Sequence, residues 1–385
     1  MEVYLDNSAT TKPRKEVIDS INYMLNEAYG NPSSLHRMGL EAEKKINESR
    51  NIISKFLKVN SEEIYFTSSG TESNNMAIQG LVNRYLKRGK HIITTKIEHS
   101  SILNIFKYYE GMGFKVTYID VNEDGLINLQ QLQDAIAEDT ILVSVMMVNN
   151  EVGTIQPIKK IKDIINKYNK NIKLHVDGIQ AVGKIPINLK KMGVDTFSFS
   201  GHKIHGPKGI AGLYVKKGTN INPIVFGGKQ EKGLRSGTEN TPGIVGIGKA
   251  VEMLNDNFEN EIESIINVKK YFINGVKNNI EDIKINSFID ERGAPHILSI
   301  TFKGTRGEVL LHYLERHKIY VSTASACTSN DKGKSHVLKA LGLRDNEIEG
   351  TIRFSFSYLN TKKEIDYVIE KLKDSVKDIR KIIKR

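Results

Sequence analysis

The residues best suited to covalent chemistry lie in Asp195–Lys208, which reads DTFSFSGHKIHGPK. From Thr196 to Ser200, β-branched or aromatic residues alternate with serines at the two-residue period of a strand, and the run ends in Ser200-Gly201-His202-Lys203. A strand therefore delivers a lysine into a turn. Gly201, Gly206 and Pro207 punctuate that turn before a second strand, Ile210 to Val215, returns to the sheet. With 56 lysines and arginines in 385 residues, most such side chains must simply be solvated, so the setting is what singles out Lys203. A lysine held among small hydroxyl and glycine residues at a strand end can form a Schiff base with an aldehyde, and pyridoxal 5'-phosphate is the commonest cofactor of that kind. Such a cofactor needs a carboxylate for its ring nitrogen, several donors for its phosphate and a group stacked on its face.

The rest of the chain offers candidates for each demand. Strand Lys173 to Val176 ends at Asp177, with Gln180 three residues on; the carboxylate either pairs with a ring nitrogen or caps a helix. Strand Glu63 to Ser68 runs into Ser69-Gly70-Thr71-Glu72 and then a helix, Ser73 to Lys87. Ser69 and Glu72 form a capping box, while the backbone N–H groups and the Thr71 hydroxyl at that helix start could receive a phosphate. His99 follows strand His91 to Thr95 and opens another helix; it is either a polar residue at a helix start or an imidazole that stacks and moves protons near neutral pH. Ile141 to Val148 is almost continuously apolar, as expected of a strand covered on both faces, and ends in Asn149-Asn150-Glu151, where ligands bind in open α/β sheets. Asn7, in the polar turn of YLDNSATT, is a turn former or a ligand contact. Arg353 lies inside the strand TIRFSFS, where a buried guanidinium needs a partner such as an amino-acid carboxylate. Gly227 to Glu239 is a glycine-rich loop bearing Arg235 and Thr238, with a flexible connector as its simplest reading. The single cysteine, Cys327, sits in the small polar run STASACTSN, continued by DKGKS to Ser335 as a mobile loop; this context favours a reactive thiol over a buried small hydrophobe.

These residues require a scaffold that presents strand ends in a row. Repeated units of strand, polar end and helix from residue 63 to 215 predict a mainly parallel sheet flanked by helices. A length of 385 residues with 39% apolar content suits two domains, and the polar stretch Asn255 to Glu263 reads as the passage between them. The expected division is a large domain over 14–255 and a smaller α/β domain from 1–13 and 256–385. The net charge of +11 is spread along the chain with no recognised nucleic-acid motif, so solvated helix faces account for it and no direct nucleic-acid partner is expected. The basic C-terminal helix reads as amphipathic and surface-facing. No apolar run is long enough for a membrane span, the N-terminus lacks a basic head and apolar core, and one cysteine cannot form an internal disulfide. The expectation is a cytoplasmic protein with no metal site.

Taken in order, the segments YLDNSATT, FTSSGTESNN, TKIEHSSI, VNNEVG, HVDGIQAVGKIPI, SFSGHKIHGPKG, RSGTEN, SACTS and IRFSFS closely resemble the motifs of the cysteine desulfurases, in the class V aminotransferase group, over nearly the whole chain. The resemblance implies a fold-type I pyridoxal-phosphate enzyme: a homodimer whose large domain carries a seven-stranded, mainly parallel sheet, with a smaller α/β domain bearing the cysteine loop at about 322–335. It implies that Lys203 holds the cofactor, Asp177 pairs with the pyridine nitrogen, Gln180 bonds the ring hydroxyl, and His99 stacks and transfers protons. Asn150 would contact cofactor and substrate. Gly70, Thr71, Ser200 and His202 would hold the phosphate, with Thr238 reaching in from the other subunit. Asn7 and Arg353 would serve the substrate, with Arg353 on its carboxylate, and Cys327 would be the nucleophile. Implied chemistry is sulfur removal from L-cysteine to give alanine and a persulfide, passed to acceptor proteins for iron–sulfur cluster assembly or tRNA thiolation. Three segments depart from the family's commonest wording: SSGTES for SGATES, HVDGIQ for HVDATQ, and NDKGKS after the cysteine. Backbone-mediated phosphate binding should tolerate the first, and the last bears on acceptor docking more than on chemistry. The rival enzyme class is a related lyase or aminotransferase that uses Lys203 and Asp177 without needing Cys327.

Overall fold

The computed structural model describes residues 1–323 and 334–383, so Cys327 and the rest of the expected cysteine loop from 324 to 333 lie outside the described residues. The chain opens with β1 (Val3–Tyr4), α1 (Lys15–Asn26) and α2 (Arg37–Leu57), then enters strand-and-helix units: β2 (Ile64–Thr67), α3 (Gly70–Tyr85), β3 (His91–Thr95), α4 (Ser100–Gly111), β4 (Lys115–Ile119), α5 (Leu129–Ala135), β5 (Thr140–Met146), α6 (Ile158–Tyr168), β6 (Lys173–Asp177), α7 (Leu189–Met192), β7 (Thr196–Ser200) and β8 (Ala211–Val215). These strands form one seven-stranded sheet in the order β2-β8-β7-β6-β5-β3-β4. Only β8 runs against its neighbours; the other pairings, from β7 across to β4, are parallel. Strands buried on both faces must be apolar throughout, and β3, β5, β6, β7 and β8 read that way, with almost every side chain buried.

The expected passage at Asn255–Glu263 is crossed without a break in secondary structure. It lies inside α8 (Thr241–Asn279), one continuous helix of 39 residues. The physical reason is visible in composition: between Lys249 and Asn274 the chain has neither glycine nor proline, so nothing breaks the helix while its apolar stripe changes partner. Ile244, Ile247, Val251 and Leu254 pack into the core of the large sheet, and Ile265, Phe272 and Val276 pack into a second core. The chain continues with β9 (Ile283–Ile285), β10 (Ile297–Phe302), α9 (Gly307–Arg316), β11 (Ile319–Tyr320), β12 (Ser322–Thr323), α10 (His336–Ala340), α11 (Asp345–Glu349), β13 (Thr351–Ser355) and α12 (Lys362–Ile383); β9, β10, α9, β11, β13 and α12 build that second core, while Val337, Leu338 and Ile348 of α10 and α11 pack against Ile97, Met146 and Val152. Here the sheet is antiparallel, in the order β12-β13-β10-β9. The basic C-terminal helix α12 turns Ile365, Val368, Leu372, Val376 and Ile379 inward, and its lysines fall on the opposite side.

Candidate active site

Parallel strands all end on one edge, and the chemistry-bearing residues collect there. Asp177 is the last residue of β6, registered against Ser198 of β7, and Ser200-Gly201-His202-Lys203 continue β7 into a single helical turn. The N-terminal segment clamps that turn. The Thr11 N–H and hydroxyl both donate to the His202 carbonyl at 2.8 and 2.9 Å, and the Thr11 oxygen accepts from the His205 N–H at 2.7 Å. His205 is held at φ 61°, a left-handed conformation that a non-glycine residue adopts only when its surroundings over-determine it. The Lys203 amine donates to the carbonyls of Ser8 and Ala9, the latter at 2.8 Å.

Asp177 is buried, 5% exposed, and its carboxylate accepts from the Ile179 N–H at 3.0 Å and from Asn74 Nδ2 at 2.9 Å. Burial pushes its pKa upward; the Ile179 and Asn74 bonds and the nearby His99 and Lys203 pull the other way. Asn74 Nδ2 also donates to Ser101 Oγ at 2.9 Å, which lies 2.9 Å from His99 Nδ1. Since Nδ1 also accepts the Ser101 backbone N–H at 3.2 Å, the neutral imidazole carries its proton on Nε2. Burial holds the His99 pKa below its ordinary value, with Lys203 and His336 adding to the effect and Asp177 opposing it. Behind Asn74 stands His175, its Nε2 3.1 Å from Asn74 Oδ1, with burial lowering its pKa to about 3, so it is a neutral donor at any working pH. Asn74, Ser101 and His175 thus tie Asp177 to His99, and none of the three stood out in the sequence. The first asparagine of FTSSGTESNN and the histidine of HVD were the available signals.

On the phosphate side, Ser69 caps α3 by accepting the Glu72 N–H at 3.1 Å. The capping box is only half made, because the Glu72 carboxylate turns to the Ser68 N–H at 2.6 Å and to Arg235 Nε at 2.8 Å. Gly70 opens the helix against the end of β7: a Cβ there would stand 3.8 Å from Ser200 Cβ but only 2.2 Å from Ile179 Cδ1. Gly178 makes room in the same way, for the Phe197 ring. The two departures from the family wording are therefore one packing solution. His202 places Nδ1 3.3 Å from Thr10 Oγ1, and burial lowers its pKa to about 4. Thr238 lies on an exposed loop beside Phe66–Ser68, at a cavity of about 170 Å³ that also touches Arg235.

The substrate candidates approach from the antiparallel sheet. Arg353, on β13 and 5% exposed, donates through Nη2 to Asp6 Oδ1 at 2.8 Å and through Nη1 to the Asn150 carbonyl at 3.0 Å, while its Nε has no partner. Asn7 spends its amide on the Ser355 carbonyl at 2.8 Å, and Gln180 donates Nε2 to the Ser8 carbonyl at 2.9 Å. Glu151, one residue beyond Asn150, accepts the Ser335 hydroxyl, and Ser335 caps α10. Among the described residues no cluster of His, Cys, Asp or Glu could hold a metal ion, and no helix is long and apolar enough to cross a membrane. The residues fit an anionic pyridine aldehyde: a buried carboxylate at the end of β6, a helix start opened by a glycine against the end of β7, and a lysine amine in the turn after β7.

The family model for aminotransferase class-V matches residues 3–368, and the chain belongs to that family. Within it the chain belongs with the IscS/NifS-like cysteine desulfurases. It is 42% identical over 381 residues to a cysteine desulfurase IscS of Dictyoglomus turgidum, covering 99% of this chain and 96% of that protein. A cysteine desulfurase IscS of Clostridium botulinum is 43% identical over 382 residues, with the same coverage. Among solved structures, a NifS-like protein superposes with a TM-score of 0.93 at 40% identity, covering 98% of this chain and all of that one. SspA in complex with cysteine gives 0.82 at 34% identity, covering 93% of this chain and all of that one.

Proposed function

We propose that this chain takes sulfur from L-cysteine onto Cys327, releasing L-alanine, with pyridoxal 5'-phosphate carried on Lys203. The observation that supports this reading most is the junction of β6 and β7, where Asp177 ends one strand, Lys203 follows the next, and Asn74 and Ser101 link the buried Asp177 carboxylate to the His99 imidazole. Asp177 would hold the ring nitrogen, Gln180 the ring oxygen, and Gly70, Thr71, Ser200 and His202 the phosphate. When bound, the cofactor supplies an electron sink beside the substrate's reacting bonds. Lys203 Nζ would move the proton at the substrate Cα, and His99 Nε2 would be the second proton carrier. Arg353 binds the substrate carboxylate, joined by Asn7 and Asn150 at the same end of the cleft. The Cys327 thiolate attacks the substrate sulfur: an S–S bond forms as the Cβ–S bond breaks, the electron pair leaves with the three-carbon fragment, and protonation of that fragment gives alanine.

The working form is a homodimer in the cytoplasm, with Thr238 of each copy serving the other's phosphate site. The division at residue 255 places the cofactor on the large domain and the nucleophile on the small one. The persulfide passes to an acceptor protein, for iron–sulfur cluster assembly or tRNA thiolation. The test is to add L-cysteine and measure free alanine and protein-bound persulfide in the wild type, Cys327→Ser and Lys203→Ala. Wild type yields both, Cys327→Ser binds cofactor but forms no persulfide, and Lys203→Ala forms neither. A wild type that binds cofactor yet gives neither product overturns the reading in favour of a lyase or aminotransferase.

A further inference from the structure

Behind the proposed cofactor side of the cleft lies a histidine that none of the roles above uses. His296 immediately precedes β10, is 0% exposed, and places Nε2 3.2 Å from Gln180 Oε1. Its other nitrogen, Nδ1, is buried with no partner. The two bonds of Gln180 settle which proton is where. Gln180 donates Nε2 to the Ser8 carbonyl at 2.9 Å, and a carbonyl can only accept, so the amide cannot be turned over. Gln180 therefore presents its oxygen to His296, and His296 must donate from Nε2 and leave the Nδ1 lone pair bare. Burial, together with Lys184, Lys269, Lys203 and Arg353, holds the imidazole neutral, so this tautomer persists across the working pH range.

A buried donor and a backbone carbonyl thus clamp the amide of Gln180 from both sides. Only the second hydrogen on Nε2 is left for another acceptor. The same Ser8 carbonyl also receives the Lys203 amine, so the direction of that hydrogen is defined relative to the lysine that carries the aldehyde. We infer that His296 is a positioning residue: it fixes the orientation of Gln180 so that the remaining amide hydrogen meets the ring oxygen of the cofactor. This rests on the reading of Lys203 and Gln180 as cofactor residues. A donor aimed at that oxygen stabilises its anionic form and so makes the lysine-bound chromophore easier to deprotonate. Without the clamp, the amide rotates and that help is lost.

The experiment titrates the visible absorption band of the purified, cofactor-loaded protein against pH, without substrate. Variants are His296→Phe, which keeps ring size and removes the donor, His296→Gln, which keeps a donor, and Gln180→Ala as the reference. The expected result is that Gln180→Ala and His296→Phe both raise the titration midpoint by about one pH unit, roughly tenfold in proton affinity. His296→Gln should fall back toward the wild-type midpoint. If Gln180→Ala shifts the midpoint and His296→Phe does not, the inference is wrong while the reading of Gln180 survives. If neither shifts it, Gln180 is not on the ring oxygen and both fail. Should His296→Phe fail to fold, His296→Leu takes its place: a midpoint raised like that of Gln180→Ala supports the clamp, and a wild-type midpoint overturns it.

Discussion

Asp177 ends β6 and Lys203 closes the turn after the adjacent β7 of one sheet, whereas Arg353 and Ser335 reach the same cleft from the antiparallel sheet and the short helix beyond it. Asp177 is embedded in bonds that stay within the sheet and its covering helices, with Asn74 from α3, Ser101 from α4 and His175 from β6, while the N-terminal segment holds the Lys203 amine through the Ser8 and Ala9 carbonyls. The second pair is held by a few polar ties across the chain, Arg353 to Asp6 and Ser335 to Glu151, which are 347 and 184 residues apart. An element whose side chains are locked from several directions gives a fixed geometry for charge development, and one held by single ion pairs responds to charge, pH and bound anions. Damage on the sheet side should therefore appear in rate, and damage on the other side in stability and its dependence on conditions.

The largest expected effect is on the sheet side. Asp177→Asn keeps the size of the side chain and one of the two bonds that its oxygens accept from Ile179 and Asn74, but removes the charge proposed to face the ring nitrogen. We expect alanine release to fall by about 10³-fold, within the usual range for a group that stabilises charge in the transition state, with thermal stability unchanged. Relief of the burial penalty on the carboxylate offsets the bond that the amide cannot accept. A fall of less than tenfold would mean the sheet side is not where the electron sink is tuned.

Glu151 is the pH-sensitive part of the other side. Burial raises its pKa to about 7 from 4.5, against the opposing pull of Ser335 and Arg353. The native carboxyl keeps a proton that the unfolded chain releases, so the unfolded state binds fewer protons between about pH 4.5 and 7. Stability present at pH 4.5 is lost as pH rises through 7. Glu151→Gln cannot titrate, so the stability of wild type relative to the variant should decline by about 3 kcal/mol between pH 4.5 and 8, measured by denaturant unfolding at each pH. A difference independent of pH would place the titration elsewhere.

Asp6 gives a smaller change with an opposite response to ligand. Asp6→Asn leaves the buried guanidinium of Arg353 without its countercharge, costing about 2 kcal/mol because one-fifth of the Asp6 side chain still meets solvent. Saturating L-alanine should restore part of that loss, since its carboxylate can take the place of the missing charge, and thermal shift with and without alanine reads both quantities. Destabilisation that alanine leaves untouched would separate Arg353 from carboxylate binding.

Legibility in the sequence followed the same split. Strand alternation, apolar runs and polar strand ends located β5, β6 and β7 to within a residue or two, because a parallel sheet buried on both faces writes its pattern locally. The residues that were missed act through partners far away: Asn74 reaches Ser101 over 27 positions, His175 over 101, and His296 meets Gln180 over 116. No spacing rule connects such pairs. The polarity of Asn255–Glu263 suggested a passage between domains but not that α8 runs unbroken through it; absence of glycine and proline is the signal for that continuity.

The smallest effect tests how tightly the sheet side is packed. Gly70 and Ile179 belong to the two stretches where the chain departs from the commoner family wording, and the structure places their side-chain positions in one space: a Cβ on residue 70 would meet Ile179 Cδ1 at 2.2 Å and Cγ1 at 3.0 Å. Ile179 is only half-buried, so its tip can rotate away, and the cost of Gly70→Ala should be about 1 kcal/mol, the low end for overpacking. The penalty should register in cofactor retention, because the Ile179 N–H that would be disturbed donates to Asp177. Roughly fivefold weaker cofactor binding is expected for Gly70→Ala, and no further weakening when the same change is made in an Ile179→Ala background. That non-additivity marks direct contact. If Gly70→Ala weakens binding equally in both backgrounds, the glycine serves the phosphate or the helix start itself, and the sheet side is less densely interlocked than its bonds suggest.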